Sequence, residues 1–363
     1  MEMQSQPNRS VLFRELGSSI ESQVAWYHEM QEKQPIRYHP EYNLWEVFRY
    51  KDVQQVLLDH ATFSIDKCLP EGLPFALSKS NPPEHRQLRS LASKTFSPRQ
   101  IEELTPRFVQ IVDELLESAK VKGKINLITA LAHPLPVRVI AEMLGLPPSD
   151  QERFRQWSYQ MLEQLSGVGN PDNNGLLVYF SDLLNERKCN PRDDFMSTLL
   201  AAEENETHLT RETILSLCVE LMFAGHVTTS QLLASAIRHS CEQPETYQAL
   251  RDDPSLIPGV IEETLRYNIT LNQWRTARHD TVLGGQEIKA GQYVVTWTSA
   301  ANVDEIYFPH SAQFDMRRSP NPHLAFGYGI HVCPGHSLAR LEARIALERI
   351  VTHFSDIRLL EMI

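Results

Sequence analysis

The chain has no excess of basic charge, no regular cysteine spacing, no linker and no apolar run of membrane length. Lysine and arginine number 35 against 46 aspartates and glutamates, a formal net charge of -11, and no basic stripe is interleaved with aromatics. This argues against nucleic acid as a partner. The five cysteines, Cys68, Cys189, Cys218, Cys241 and Cys333, are odd in number and irregular in spacing, so they do not read as a disulfide framework. The polar, acidic start Met1-Glu2-Met3-Gln4-Ser5-Gln6 reads as neither a signal peptide nor an anchor. The most apolar run, Ile214 to Gly225, is too short for a bilayer and contains Glu220. The expectation is a cytoplasmic protein of bacterial type with no membrane contact. Length alone favours two domains or more, but there is no Gly/Ser-rich or Pro-rich stretch and no repeat, so residues 1–363 read as a single domain. No Gly-x-Gly-x-x-Gly follows a strand, so no nucleotide-binding segment is fused to it. With 42 % apolar and 22 % charged residues, the composition is that of a soluble globular protein able to enclose a cofactor.

The periodicity is mainly helical, with small sheet pieces. Helices are expected at 21–32, 51–60, 99–119, 136–145, 149–166, 175–188, 193–203, 255–267 and 334–352. Pro82 and Pro83 open a further helix, with Asn81 as its cap. Residues 210–241 form a long helix, apolar on nearly all sides, which should cross the interior. Trp45 to Tyr50 alternates like a strand, and 275–298 turns to strands with Gly284-Gly285 as a hairpin turn. Residues 64–80, with Pro70, Gly72 and Pro74, read as a loop, and 166–175 as a flexible connection.

The segment Phe326-Gly327-Tyr328-Gly329-Ile330-His331-Val332-Cys333-Pro334-Gly335 runs into the helical pattern His336-Ser337-Leu338-Ala339-Arg340-Leu341-Glu342. A glycine-rich loop thus brings one cysteine to the first turn of a helix, where free N–H groups and partial positive charge stabilise a thiolate. Such a thiolate, with glycines at close-approach positions, suits a proximal haem-iron ligand. A buried structural cysteine and half of a metal site with His331 are the other readings. The metal site would need two more ligands at sensible spacing, and none is nearby.

Phe-Gly-x-Gly-x-His-x-Cys-x-Gly followed by Leu-Ala-Arg resembles the haem-binding signature of the cytochrome P-450 family, and the resemblance covers nearly the whole chain. It implies a mainly α fold with small β-sheets, haem lying between the long central helix and the Cys-loop helix. Cys333 would ligate the iron, Phe326 would pack beneath the haem, and Gly327 and Gly335 would allow close approach. Glu263-Thr264-Leu265-Arg266 matches the family's Glu-x-x-Arg pair; Arg318, after Phe314-Asp315, matches the arginine that locks it, a structural role. In Ala224-Gly225-His226-Val227-Thr228-Thr229, the small pair would face the oxygen side of the haem. Thr228 matches the threonine that organises water and protons there; the alternative is a hydroxyl bonded back to the Ala224 carbonyl. His85, Arg89, Arg275 and His331 match the donors that hold the haem propionates. Leu73, Phe75, Leu77, Leu221, Leu271, Asn272, Gln273 and Trp274 would line an apolar substrate pocket with a few polar groups. Arg340 and Arg344 would either form a docking face for an acidic partner or be solvated helix charges.

The sequence departs from the family in three places. Val227 stands where an acid usually precedes the threonine, and His226 points about 100° away from that position. Protons would then arrive through Thr228 and waters, or through a polar group of the substrate. Pro334, expected at the first helical position, lacks an N–H, leaving Gly335 and His336 as donors to the sulfur. The segment after 352 is short; relatives continue with strands and a hairpin, so either the chain is truncated or the pocket lacks that wall. The leading expectation is a haem-thiolate monooxygenase with haem b. It would take electrons from an external NAD(P)H-linked reductase through a ferredoxin or flavodoxin, and would oxidise a small molecule, typically of secondary metabolism. The alternatives are peroxide-driven or rearrangement chemistry, a non-catalytic haem or ligand-binding relative, and a helical protein without haem.

Overall fold

A computed structural model of the chain describes residue 16 and residues 19–70, 72–96, 98–122, 125–165, 174–203, 209–268 and 272–358. The opening segment pairs helix with sheet: α1 (Ile20–Lys33), β1 (Ile36–His39), β2 (Leu44–Val47), α2 (Tyr50–Leu58) and β3 (Phe63–Ser64). Helices then dominate: α3 (Glu84–Thr95), α4 (Pro98–Glu103), α5 (Thr105–Lys122), α6 (Pro134–Leu144), α7 (Gln151–Leu165), α8 (Asn174–Cys189) and α9 (Phe195–Glu203). The long α10 (Arg211–Glu242) is followed by α11 (Pro244–Asp252) and α12 (Ile257–Asn268). The second sheet-forming segment holds β4 (Asn272–Ala277), β5 (Thr281–Leu283), β6 (Gln286–Ile288), β7 (Tyr293–Trp297) and α13 (Thr298–Ala301); α14 (His336–His353) follows the Cys loop.

Local chemistry explains most boundaries. Thr210 caps α10, its hydroxyl accepting from Thr213 N–H at 3.2 Å. Pro134 opens α6 and Gly145, at φ +67°, ends it in the left-handed conformation that glycine adopts freely. Gly284 and Gly285, at φ +52° and +84°, supply the tight β5–β6 hairpin turn. The main sheet has the order β1-β2-β7-β4-β3, with only β2 and β7 parallel. It joins the two ends of the chain: Trp45 of β2 lies opposite Val294 of β7.

The helical half buries one large apolar cluster around α5, α6, α10, α12 and α14. The sheet half buries two smaller ones. α10 is long and apolar enough to cross a bilayer by composition, but here it packs against α6, α7, α8, α12 and α14. Its buried positions lie on nearly every side, as expected of an interior helix.

Some expected elements differ. The helix of 99–119 is broken at Leu104 into α4 and α5. β1 and α11 are further elements that the sequence reading does not single out. Asn81 does not cap α3 with its side chain: its Nδ2 donates to Asp66 at 2.7 Å, while its carbonyl accepts from His85 N–H. Most of the expected connection at 166–175 lies outside the described residues.

Candidate active site

The Cys loop is closed by Cys333 N–H donating to the Phe326 carbonyl at 2.8 Å. Gly327 and Gly329 are left-handed, at φ +75° and +73°. A Cβ on Gly327 would lie 2.7 Å from Gln273 Nε2, and one on Gly329 would lie 2.7 Å from the Leu57 carbonyl oxygen. Both positions therefore need glycine for conformation, and Gly329, set against backbone, needs it for space as well. A Cβ on Gly335 would come 3.9 Å from the Cys333 sulfur. Phe326 carries the Arg340 guanidinium 4.6 Å above its ring.

Two expectations about the cysteine are corrected. α14 begins at His336 with Gly335 as its N-cap, so Cys333 lies before the first turn and Pro334 is not the first helical residue. The turn through Pro334 brings the Gly335 N–H, rather than a row of helix donors, to the sulfur. Burial pushes the Cys333 thiol up; the Gly335 N–H, Arg89 and Arg340 pull it down without cancelling that. Desolvation of a full negative charge outweighs one N–H bond and two nearby guanidinium groups, so the loop alone favours the thiol. Coordination to a metal deprotonates a thiol outright.

Around this sulfur the fold collects two guanidinium and two imidazole groups that meet no carboxylate among the described residues. His85 on α3 is buried, and its ring lies 4.3 Å from that of His331. The Nε2 atoms of both are buried without a hydrogen-bond partner. Arg89, one turn beyond His85, donates to the Val332 carbonyl beside the cysteine. Arg275 of β4 is only 4 % exposed, yet among the described residues it bonds just the Trp274 carbonyl at 2.8 Å and Gln273 Oε1 at 3.2 Å. No carboxylate acts on Arg89 or Arg275 among the described residues. Burial lowers Arg275 to about 10; burial, Arg89 and His60 lower His85 to about 4. Buried cations are ordinarily paired. Two guanidinium and two imidazole groups left over beside one sulfur fit the two propionates of a haem ligated by Cys333.

The opposite wall is α10. Ala224 and Thr228 are exposed, one turn apart, in a helix that is otherwise largely buried, so this row faces an open cleft. Thr228 Oγ1 donates to the Ala224 carbonyl at 3.0 Å. Gly225 serves a different contact from the one expected: a Cβ there would meet Ile140 Cδ1 of α6 at 2.5 Å. His226 turns away from the row, 1 % exposed, with its ring 6.4 Å from His133 and 5.8 Å from Tyr159. Burial, with His133 and Arg155, lowers it to about 4. It does not stand in for the acid missing at Val227.

Of the expected pocket residues, Leu73, Phe75 and Leu77 are buried in the large cluster, with Leu221 packed against it. Both polar side-chain atoms of Asn272 are buried without partners. Leu271 lies outside the described residues. Trp274 does not line the site. It packs with Tyr27, Phe48 and Trp297 in a sheet-side core, because strand neighbours point to opposite faces and Arg275 takes the cysteine side.

Beside the Cys loop lies a network in which every charge is paired. Glu263 takes Arg266 in a fork at 2.7 and 2.9 Å, and also accepts from Arg318 Nε, Asn321 Nδ2 and the Asp315 N–H. Arg266 donates further to the carbonyls of Asn302, Ser311 and Gln313. Glu262, not singled out in the sequence, receives both Arg340 and His323. Burial would raise its carboxyl, but those two partners hold it at about 2. Arg340 is thus tied within the fold, and Arg344 pairs with Glu348.

The Cytochrome P450 family model matches residues 180–357. Erythromycin C-12 hydroxylase of Saccharopolyspora erythraea is 38 % identical over 91 % of this chain and 86 % of its own length. A putative cytochrome P450 of Bacillus subtilis, YjiB, is 35 % identical over 91 % of this chain and 86 % of its own. The solved structure of CYP109E1 from Bacillus megaterium in complex with testosterone is 34 % identical. It superposes with a TM-score of 0.87 over 94 % of this chain and 92 % of its own. The chain belongs to the cytochrome P450 family, and its activity is that of a haem-thiolate monooxygenase.

Proposed function

We propose that the chain, acting as one domain, binds haem b through Cys333 and inserts one oxygen atom into a bulky, largely apolar small molecule of secondary metabolism. Electrons would come from NAD(P)H through a reductase and a ferredoxin or flavodoxin, in the cytoplasm. The observation that carries this reading is the set of groups beside the sulfur that meet no carboxylate among the described residues: the Arg89 and Arg275 guanidinium groups and the imidazoles of His85 and His331, whose buried Nε2 atoms have no partner. The similarity to a macrolide hydroxylase and to a testosterone-bound structure supports the substrate class.

Haem held there supplies oxygen activation. The chain's own residues do the rest. Arg89 and Arg275 bind the propionates, and His85 and His331 offer them N–H donors. Leu73, Phe75, Leu77 and Leu221 exclude water from the distal cleft. Thr228 Oγ1, already bonded to the Ala224 carbonyl, holds a proton at the cleft wall and can pass it on through bound water. Val227 contributes only bulk.

The test is a panel of macrolides and steroids titrated into the ferric haem protein, followed by turnover under labelled O2 with a ferredoxin and its reductase. A spectral shift and one labelled oxygen atom in the product are expected. No shift and no product across the panel would remove this substrate class. Val227 favours one other reading, turnover driven by peroxide. Product formed with peroxide alone, at a rate no lower than with redox partners, would establish it.

A further inference from the structure

Glu220 is the single charge in the most apolar run of the chain. It is 8 % exposed, and no ion pair among the described residues includes it. Four donors converge on its carboxylate. Ala76 N–H and Leu77 N–H reach Oε2 at 2.9 and 2.8 Å. Ser78 N–H reaches Oε1 at 2.8 Å, and the Ser78 hydroxyl bonds the same oxygen. All four come from one short stretch of the 64–80 segment, the stretch that carries Leu73, Phe75 and Leu77 into the large core. Phe75 also stacks on Phe223, ring centroids 5.5 Å apart, three residues beyond Glu220 on α10. Lys79 Nζ ties the stretch to itself through the Leu73 carbonyl.

Positions 220, 224 and 228 recur every four residues, so they share one face of α10. Glu220 lies about 12 Å along the axis from Thr228, at 1.5 Å per residue. It therefore sits at the outer end of the row that lines the distal cleft. Burial pushes the Glu220 carboxyl up, and the bonds from Ser78, Ala76 and Leu77 pull it back down, so the ionised form depends on these donors. Here the donors belong to the segment that the family resemblance places over the cleft, so the segment cannot lift without either stranding the carboxylate or wetting it. Hydrogen bonds to an ionised acceptor are also about twice as strong as neutral ones.

We propose that Glu220 is the positioning residue that fastens residues 73–79 over the distal cleft and thereby sets the size of ligand that reaches Thr228. The inference rests on the haem-binding reading above. Glu220 fixes where Leu73, Phe75 and Leu77 stand, and it touches no reacting atom. A small ligand passes without moving the segment. A bulky one must break the four bonds, or enter when they are broken.

The test uses the full haem-loaded chain and two nitrogen ligands of the ferric iron, imidazole and 4-phenylimidazole. Glu220→Gln keeps the volume but loses the charge and presents an amide N–H to one of the loop donors. Ser78→Ala removes the hydroxyl bond from the loop side and leaves α10 intact. Association of 4-phenylimidazole is expected to speed up about tenfold in Glu220→Gln and severalfold in Ser78→Ala, with imidazole changing less than twofold. Glu220→Asp should recover part of the wild-type ratio. If the ratio of the two rates stays within twofold of wild type in both variants that retain the wild-type CO-bound spectrum, Glu220 has no such role. A uniform change for both ligands would likewise make it a packing residue only. If the wild-type protein binds no haem, it is the haem reading that fails, a result separable from these.

Discussion

Two polar regions flank the Cys loop, and they are built on opposite rules. The Glu263–Arg266–Arg318 cluster is closed: each charge meets a counter-charge or a carbonyl, and both Glu263 and Arg266 are almost fully buried. The His85–Arg89–Arg275–His331 cluster is open: two guanidinium groups and two imidazoles meet no carboxylate among the described residues. A satisfied buried network holds a fold together. An unsatisfied one of a single charge sign is shaped for something that arrives later.

The sharpest way to break this contrast is to delete one member from each side. Arg266→Ala leaves Glu263 with a buried, half-paired charge and strips donors from three carbonyls. The expected loss is about 3–5 kcal/mol, read as a large fall in chemical denaturation midpoint with or without haem. Arg275→Leu should behave in the reverse sense. The haem-free protein should be as stable as wild type or more so, because an unpaired buried cation is gone. Haem should leave roughly ten- to a hundredfold faster, for a charge-assisted bond worth about 1.5–3 kcal/mol. A haem-free protein destabilised as much as by Arg266→Ala would erase the distinction.

The two clusters were not equally legible. The glycine–cysteine pattern, the spacing of Glu263 and Arg266, and the all-round apolar α10 are local signals, and each names its element. The cation set could be assembled only by resemblance, since His85 and His331 stand far apart in the chain. What escaped was long-range or a matter of register. Trp274 belongs to the sheet-side core although its sequence neighbours suggest the pocket, because adjacency in sequence hides the alternation of a strand, which its pairing with Val295 fixes. The Glu220 clasp spans 142 to 144 residues. Its only trace in the sequence is an acid where the run should have none. The Cys333 thiolate was expected from a helix start that lies two residues too late.

The distal wall offers a subtler probe. If Thr228 works without a partner acid, restoring one should improve it: Val227→Glu is expected to raise the fraction of reducing equivalents recovered in product severalfold, short of the 100-fold that a positioned acid can supply. An unchanged fraction would mean that the proton route does not pass position 227.

The smallest expected effect is on pH. Burial, with Arg89 and His60, depresses His85 from 6.5 to about 4. The unfolded chain then binds a proton that the fold refuses. The contribution to stability is full above pH 6.5 and is lost as pH falls toward 4. His85→Gln should flatten that part of the stability–pH curve of the haem-free protein. An unaltered slope would mean that His85 is already protonated in the fold and paired with an anion.

The most direct measurement is the absorption spectrum of the reduced, carbon monoxide-bound protein beside that of Cys333→Ala. A strongly red-shifted Soret band in the wild type, absent from the variant, is the predicted result. A protein that binds no haem, or a band that persists without Cys333, would contradict the assignment of this loop as the iron's thiolate ligand.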